Sequence, residues 1–353
     1  MAARRAAVVG TGLIGGSIGL ALRRAGWHVT GDDRDPARAA RALELGALDA
    51  VGTDPDAELT FLATPVRAVA EAARAALAAG SGIVTDVGSV KASIVGAVGD
   101  PRFLGGHPMA GSEQEGVDGA DPDLFAGAVW VLTPTAATDD TTYATVRAAV
   151  ADLGADVVAL TPEHHDALVA VVSHVPHLTA AALMHLADGR ATEHRALLRL
   201  AAGGFRDMTR IAAGHPGIWP DICAENRDAI VEVLDGLMAS LQAVRSVVAD
   251  DDRAGLLAVL ERARAARLNL PARITSAGEL SEVRVPVPDR PGVLAEVTTL
   301  AGALDVNIAD LEIAHSSEGE QGVLILLVEA GAAERLRTGL VEHGFRPAVS
   351  PLE

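Results

Sequence analysis

Lysine is nearly absent from this chain. Of 29 lysines and arginines among 353 residues, Lys91 is the single lysine. The background is rich in Ala, Arg and Gly, as a GC-rich coding sequence produces. Against it, the lone lysine is either a chance survivor or a position that uses a compact ammonium. Cysteine is as scarce: Cys223 stands alone, so no disulfide forms within the chain, which fits a reducing compartment. Aromatic residues make up only 3%, and alanine, valine and leucine carry the apolar content. No unbroken apolar run approaches the roughly 18 residues of a membrane span. The opening "MAARRAAVVG" enters a strand pattern at once and leaves no room for a signal peptide. A cytoplasmic protein is the expectation. Positive charge is outweighed, with 47 acidic residues and a net charge of −18. Such a surface repels phosphate backbones and anionic lipid, so neither nucleic acid nor membrane is an expected partner. An anionic substrate must meet a local positive pocket.

At 49% apolar content the chain is globular and long enough for two or three cores. Over the first 160 or so residues, short apolar runs alternate with helical stretches. "AAVV" (6–9), "HVT" (28–30), "LTFLAT" (59–64), "GIVTDV" (82–87), "AVWVLT" (128–133) and "DVVAL" (156–160) read as buried strands. Between them, "GGSIGLALRRAG", "DPARAARALELG" and "VRAVAEAARAALAAG" have helical period and end in glycine. The alternation predicts a doubly wound, mostly parallel α/β domain of Rossmann type over 1–161. From 162 to 275 the pattern is helical throughout, which predicts an all-helical domain serving as substrate wall and dimer interface. A linker near 271–280 precedes a small α+β module over 281–353, with the order strand, helix, strand, strand, helix, strand.

The stretch "VVGTGLIGGSIGLAL" carries G-x-G-x-x-G at Gly10, Gly12 and Gly15, directly after a strand and opening a helix. Gly10 permits the tight turn, Gly12 lets backbone approach a pyrophosphate, and Gly15 allows close packing of helix on strand. Leu13 and Ile14 supply backbone at the helix start, where N–H groups face phosphate. At the end of the second strand, "VTGDDRD" offers Asp32 or Asp33 to a ribose hydroxyl, Asp33 being the nearer to the usual spacing. Paired carboxylates disfavour a 2′-phosphate, which favours NAD over NADP. Arg34 weakens that preference, since it can stack on adenine or meet a phosphate. Thr64 and Pro65, in "ATPV" at the end of the next strand, complete the candidate cofactor set.

Open α/β sheets bind ligands beyond the carboxyl ends of their strands. There lie "DVGSVK" (86–91) and "GGHPMAGSEQEG" (105–116). The second reads as a glycine- and proline-rich loop holding one imidazole. Imidazole titrates near neutrality, so His107 can accept a proton from a substrate hydroxyl as hydride leaves the same carbon. Ser89 can bond that hydroxyl and orient the ring, with the Lys91 ammonium nearby.

The motifs "GLIGGSIGLAL", "ATPV", "DVGSVK", "GGHPMAGSEQEG", "SHVPH" (173–177) and "GGFRDMTRIA" (203–212) resemble, in order, those of the prephenate/arogenate dehydrogenases of tyrosine biosynthesis. The resemblance covers roughly residues 5–230. It implies hydride loss from C4 of a cyclohexadiene, departure of CO2 and aromatisation to a phenol. It implies His107 as the group bonding the C4 hydroxyl, supported by Ser89, and Arg210 as the clamp on a substrate carboxylate. Ser112, Ser173 and His177 then line the pocket. Glu113 bears on the choice between prephenate, which carries a keto group, and arogenate, which carries an ammonium there. The residues alone leave this open.

Several side chains have plainer alternatives. His174 and His177 flank Pro176 on a helix expected to kink there. They are a possible metal pair, but no third ligand follows at a standard spacing, so no metal is expected. Arg206 and Arg210, four apart with Asp207 between, fit either a surface ion-pair network or an anion clamp. Trp219 in "GIWPD" reads as packing or pocket wall.

The C-terminal "VPDRPGVLAEV" and "DVNIADLEI" resemble an ACT domain, a regulatory fold that binds amino acids at subunit interfaces. The resemblance implies an effector carboxylate at the turn of Gly292 and an effector ammonium near Asn307, with tyrosine the natural effector. A module that only dimerises is the alternative. Two rivals remain for the whole chain. A β-hydroxyacid dehydrogenase needs a catalytic lysine in its second domain, whereas Lys91 lies in the first. A non-catalytic NAD and amino-acid sensor would bind both ligands without turnover.

Overall fold

The computed structural model describes residues 3–112, 114–191, 200–269, 280–288, 290–315 and 321–351. The chain divides into two compact units, 1–246 and 247–353.

The first unit is built on an eight-stranded sheet of order β3-β2-β1-β4-β5-β6-β7-β8. Its strands are β1 (Arg5–Val9), β2 (His28–Asp32), β3 (Ala50–Val51), β4 (Leu59–Leu62), β5 (Ile83–Asp86), β6 (Phe103–Pro108), β7 (Val129–Thr133) and β8 (Asp156–Ala159). Pairing is parallel from β3 to β6 and between β7 and β8; β6 and β7 pair antiparallel. Helices α1 (Leu13–Arg24), α2 (Pro36–Glu44), α3 (Val66–Ala79), α4 (Ala92–Val98) and α5 (Asp140–Asp152) connect them. The central strands are continuous apolar runs because helices cover both faces. One core gathers Ile18, Leu22, Phe61, Phe125, Trp130 and Leu132; the other gathers Leu62, Val69, Val84, Ile94 and Phe103. The turn from β1 into α1 needs glycine at position 10, where φ is +93° and a Cβ would stand 2.5 Å from the Ala63 carbonyl oxygen.

The sequence suggested a flexible loop around His107, but the structure places it in β6, buried and opposite Val131 of β7. The glycines before it serve close approach. A Cβ on Gly106 would lie 2.7 Å from the Asp86 carbonyl oxygen and 3.0 Å from both Thr85 Oγ1 and Trp130 Nε1. Glycine here lets β6 press against β5 and β7, and the imidazole gains a rigid frame.

The helical part of this unit comprises α6 (Pro162–Val169), α7 (Val175–Ala191), α8 (Gly203–Thr209), α9 (Trp219–Glu225) and most of α10 (Arg227–Ala249). Thr161 caps α6 through its hydroxyl, with Pro162 in the first turn. Between α6 and α7 the irregularity expected at Pro176 takes the form of a π-helical turn, Ala170–His174, with the proline itself inside the first turn of α7. The helix runs on through Pro176, which cannot donate to the turn before it, and the wider π turn is where the ladder takes up that loss. The run Pro162–Arg190 is long and apolar enough by composition to cross a membrane, with a mean hydropathy of 1.6. Ser173, His174 and Thr179 break it into shorter apolar runs, and in this structure it buries His165, Asp166 and His174.

The second unit contains α11 (Arg253–Leu268) and then β9 (Leu280–Pro288), α12 (Val293–Ala303), β10 (Ile308–His315), β11 (Gln321–Glu329), α13 (Ala330–Glu342) and β12 (Ala348–Pro351). Its antiparallel sheet has the order β10-β11-β9-β12. Val283, Val285, Leu324 and Leu326 of the sheet share a core with Val297, Ala301, Leu336 and Leu340 of the two helices.

Replacing Gly106 by alanine should force β6 away from β5. The expected loss is about 1–3 kcal/mol, read as a lower midpoint in urea unfolding with an unchanged slope; an unchanged midpoint would mean that this approach is not tight.

Candidate active site

At the carboxyl end of β1 the glycine turn leaves a cradle. A Cβ on Gly12 would meet nothing within 4 Å, and α1 begins at this residue with no side-chain cap. Its first N–H groups are therefore available to an anion, aided by the helix dipole. Asp33, just past β2, turns its carboxylate inward: Oδ2 accepts from Thr11 N at 2.8 Å and Oδ1 from Asp35 N at 2.9 Å. That ties the glycine loop to the strand end where a ribose contact is expected, with Asp32 exposed beside it. Across the cradle, after β4, the Thr64 hydroxyl is buried with no hydrogen-bond partner. Arg34 and Pro65 are exposed. An open approach at Gly12, uncapped amides and an orphaned hydroxyl fit a dinucleotide. The adjacent carboxylates suit a ribose diol better than a 2′-phosphate.

Two strands along, at the end of β5, Asp86 is fully buried and accepts three donors. These are the Gly88 amide at 2.8 Å, the Gly106 amide at 3.1 Å and the Lys91 ammonium. The lone lysine is thus a buried structural cation, 0% exposed, and burial pulls its pKa down. The carboxylate clamps β5, β6 and the approach to α4 into one block.

His107 projects from that block and is 8% exposed. Its Nδ1 lies 2.8 Å from Nε2 of His165 on α6, the rings meeting edge to face. His165 Nδ1 lies 2.7 Å from Asp166 Oδ1. Asp166 also accepts the Lys91 amide at 2.7 Å and the Ala92 amide at 2.9 Å. Burial, helped by His165, Lys91 and His174, holds the His107 pKa well below its ordinary 6.5. A neutral ring results, as a proton acceptor requires. The ring partner is His165; Ser89 is half-buried and bonds no described residue.

His174, in the π turn, receives the Asn226 amide on Nδ1 at 3.2 Å, and its buried Nε2 has no partner. The same Asn226 amide donates to the Asp166 carbonyl at 2.8 Å. Burial lowers the His174 pKa to about 4. His177 stacks on Trp219 with ring centroids 3.7 Å apart, which makes Trp219 a wall for that histidine. Ser173, immediately before His174, is half-buried. Arg210 is exposed in the short 3-10 turn Arg210–Ala213 after α8, and Ser112 is exposed beyond β6. Glu113 lies outside the described residues. Gly292 caps α12 with φ +89°, and Asn307 is exposed before β10.

The sequence reading missed His165, Asp166, Asp86 and Asn226. A signal existed for the first pair: "HHD" (164–166) puts two imidazoles and a carboxylate at the head of an otherwise apolar helix. Nothing local announced its partner 58 residues upstream.

A cradle for a dinucleotide and a buried, neutral imidazole at the carboxyl edge of the same sheet define a dinucleotide-linked dehydrogenase. Residues 18–159 match the family described as "Prephenate dehydrogenase, nucleotide-binding domain", and residues 161–262 match "Prephenate dehydrogenase, dimerization domain". Prephenate dehydrogenase of Bacillus subtilis is 34% identical over 335 residues, 90% of each chain. Among solved structures, prephenate dehydrogenase from A. aeolicus in complex with hydroxyphenyl propionate and NAD+ superposes with a TM-score of 0.72. It is 32% identical, over 77% of this chain and 99% of that one. Synechocystis arogenate dehydrogenase gives 0.66 at 32% identity, over 74% and 98%. The chain belongs to the prephenate dehydrogenase family.

The His107 ring should stay neutral through pH 6.5, since its folded-state pKa lies well below that value. A histidine proton NMR titration, assigned with His107→Asn, checks this. An inflection for His107 near 6.5 would mean that water reaches the ring.

Proposed function

We propose that the chain catalyses the NAD-dependent oxidative decarboxylation of prephenate to 4-hydroxyphenylpyruvate, in three domains bounded at 1–161, 162–275 and 281–353. The observation that carries this reading is the neutral, buried His107 at the cofactor edge of the sheet. Bound NAD supplies the acceptor for the hydride that leaves C4. His107 takes the proton of the C4 hydroxyl and returns it to the same oxygen once CO2 has departed and the ring is a phenol. Because aromatisation drives decarboxylation, the protein needs only alignment, a proton acceptor and an anchor for the carboxylates. Arg210 is assigned that anchor, and Ser112, Glu113, Ser173 and His177 the pocket wall. Ser89, on the loop between Asp86 and Lys91, is assigned the C4 hydroxyl. Gly10, Gly12, Leu13, Ile14, Gly15, Asp33, Arg34, Thr64 and Pro65 are assigned to NAD.

Arogenate is the second substrate to consider, because a solved relative at similar identity is an arogenate dehydrogenase. The β-hydroxyacid alternative loses its footing with Lys91 buried against Asp86. A homodimer accords with the dimerisation-domain match; exposed Val171, Val172, Leu186, Met238 and Leu241 on the helical segment give a partner apolar surface to cover. A cytoplasmic enzyme fits the single cysteine. The module over 281–353 is assigned an ACT-like regulatory role, with tyrosine held near Gly292 and Asn307.

Incubation with NAD and either prephenate or arogenate, followed by NADH absorbance, should give the larger kcat/KM for prephenate. No NADH from either would end the proposal. His107→Asn should cut kcat roughly 10²–10⁴-fold with KM changed only a few-fold, and Arg210→Ala should mainly raise KM. Tyrosine should inhibit the full chain, and removal of 281–353 should relieve that inhibition while leaving activity. Inhibition that persists after removal would assign tyrosine to the active site instead.

A further inference from the structure

We propose that His165 and Asp166 are a positioning pair that fixes the tautomer of His107, so that the ring's proton sits on Nδ1 and the Nε2 lone pair faces the substrate hydroxyl. This rests on the reading of His107 as the base.

Donors and acceptors alternate along one buried chain from Asp166 to His107. Asp166 Oδ1 and Oδ2 accept the backbone N–H groups of Lys91 and Ala92. Both of these oxygens thus act as acceptors, and an ionised carboxylate can only accept. Its third contact, with His165 Nδ1 at 2.7 Å, therefore takes the proton from the histidine side. A neutral His165 then carries its lone pair on Nε2. That atom lies 2.8 Å from His107 Nδ1, so His107 must be the donor. One proton is used, and Nε2 of a neutral His107 is left bare. When Nε2 gains the substrate proton, the new imidazolium still donates through Nδ1 to His165, whose own N–H is held by Asp166. The positive charge is stabilised without any proton leaving His107. The charged or titratable groups facing His107 are His165 from α6, Lys91 from the start of α4 and His174 from the π turn. None of the three is a carboxylate, which would be the stronger acceptor for the Nδ1 proton.

His165 also packs edge-on against His107, with centroids 5.1 Å apart, so a packing role must be separated from a polar one. Two substitutions do so in opposite directions. His165→Phe keeps the ring and removes the acceptor, while His165→Gln removes the ring and puts an amide oxygen near the former Nε2. If the pair sets the tautomer, Phe lowers kcat roughly 10²–10³-fold with KM for prephenate within about threefold. Gln should retain kcat within about tenfold of the parent. Equal or greater activity in Phe than in Gln would overturn the proposal. The tautomer is also read directly from the ¹⁵N–¹H spectrum of histidine-labelled native enzyme, assigned by loss of the His107 signals in His107→Asn. Protonation at Nδ1 is expected, and protonation at Nε2 in the native protein overturns the proposal without any variant needing to fold. Should neither prephenate nor arogenate be turned over, the assigned reaction falls while the spectrum still decides the tautomer.

Discussion

Everything at the reacting end of this molecule hangs from the carboxylate of Asp166. It sits on α6, in the helical segment, yet two of its three partners are backbone amides at the start of α4, in the nucleotide-binding sheet domain. The third is His165, which holds His107. One buried anion therefore joins the two parts of the first unit and orients the imidazole between them. Had those amides been capped by a local side chain, α6 would have no polar reason to dock there. A buried charge is tolerated only when its lone pairs are filled, and here the filling is what assembles the site.

A second buried carboxylate does the complementary task within the sheet. Asp86 gathers the Gly88 and Gly106 amides and the Lys91 ammonium. The strands it joins must come close, and Gly106 permits that approach. With His107 proposed as the base, rigidity in β6 matters because a proton acceptor has to keep hydrogen-bond distance to the hydroxyl it serves. The cation of Lys91 also adds to the burial that keeps His107 neutral. In a chain of net charge −18, this small region has its own electrostatic rules, with donors from backbone and a single ammonium balancing buried acids.

The dinucleotide side is simpler in its physics. The β1 turn needs glycine for its φ and for the close approach of Ala63, while the open Gly12 and the uncapped start of α1 are matters of local backbone geometry. Asp33 closes the loop onto Thr11, at the strand end where the proposed ribose contact falls. The second unit has its own core, formed by strands of the β9–β12 sheet and two helices.

The local parts of this structure were legible in the residues. Alternation of apolar runs announced most of the parallel strands, glycine and an acid at standard spacing announced the cofactor turn, and His107 stood out in its motif. Each of these depends on neighbours a few positions away. The strand containing His107 was not legible, because its glycines look like a loop until Asp86 and Trp130 are seen against them. Nor was the bond from His107 to His165, since two imidazoles 58 residues apart share no pattern. The amino-acid sequence by itself determined most of the parallel strands, the glycine turn after β1 and which imidazole was available. Only the packing of α6 against the sheet decided which nitrogen of that imidazole is bonded, because the donors that settle it come from opposite ends of the fold.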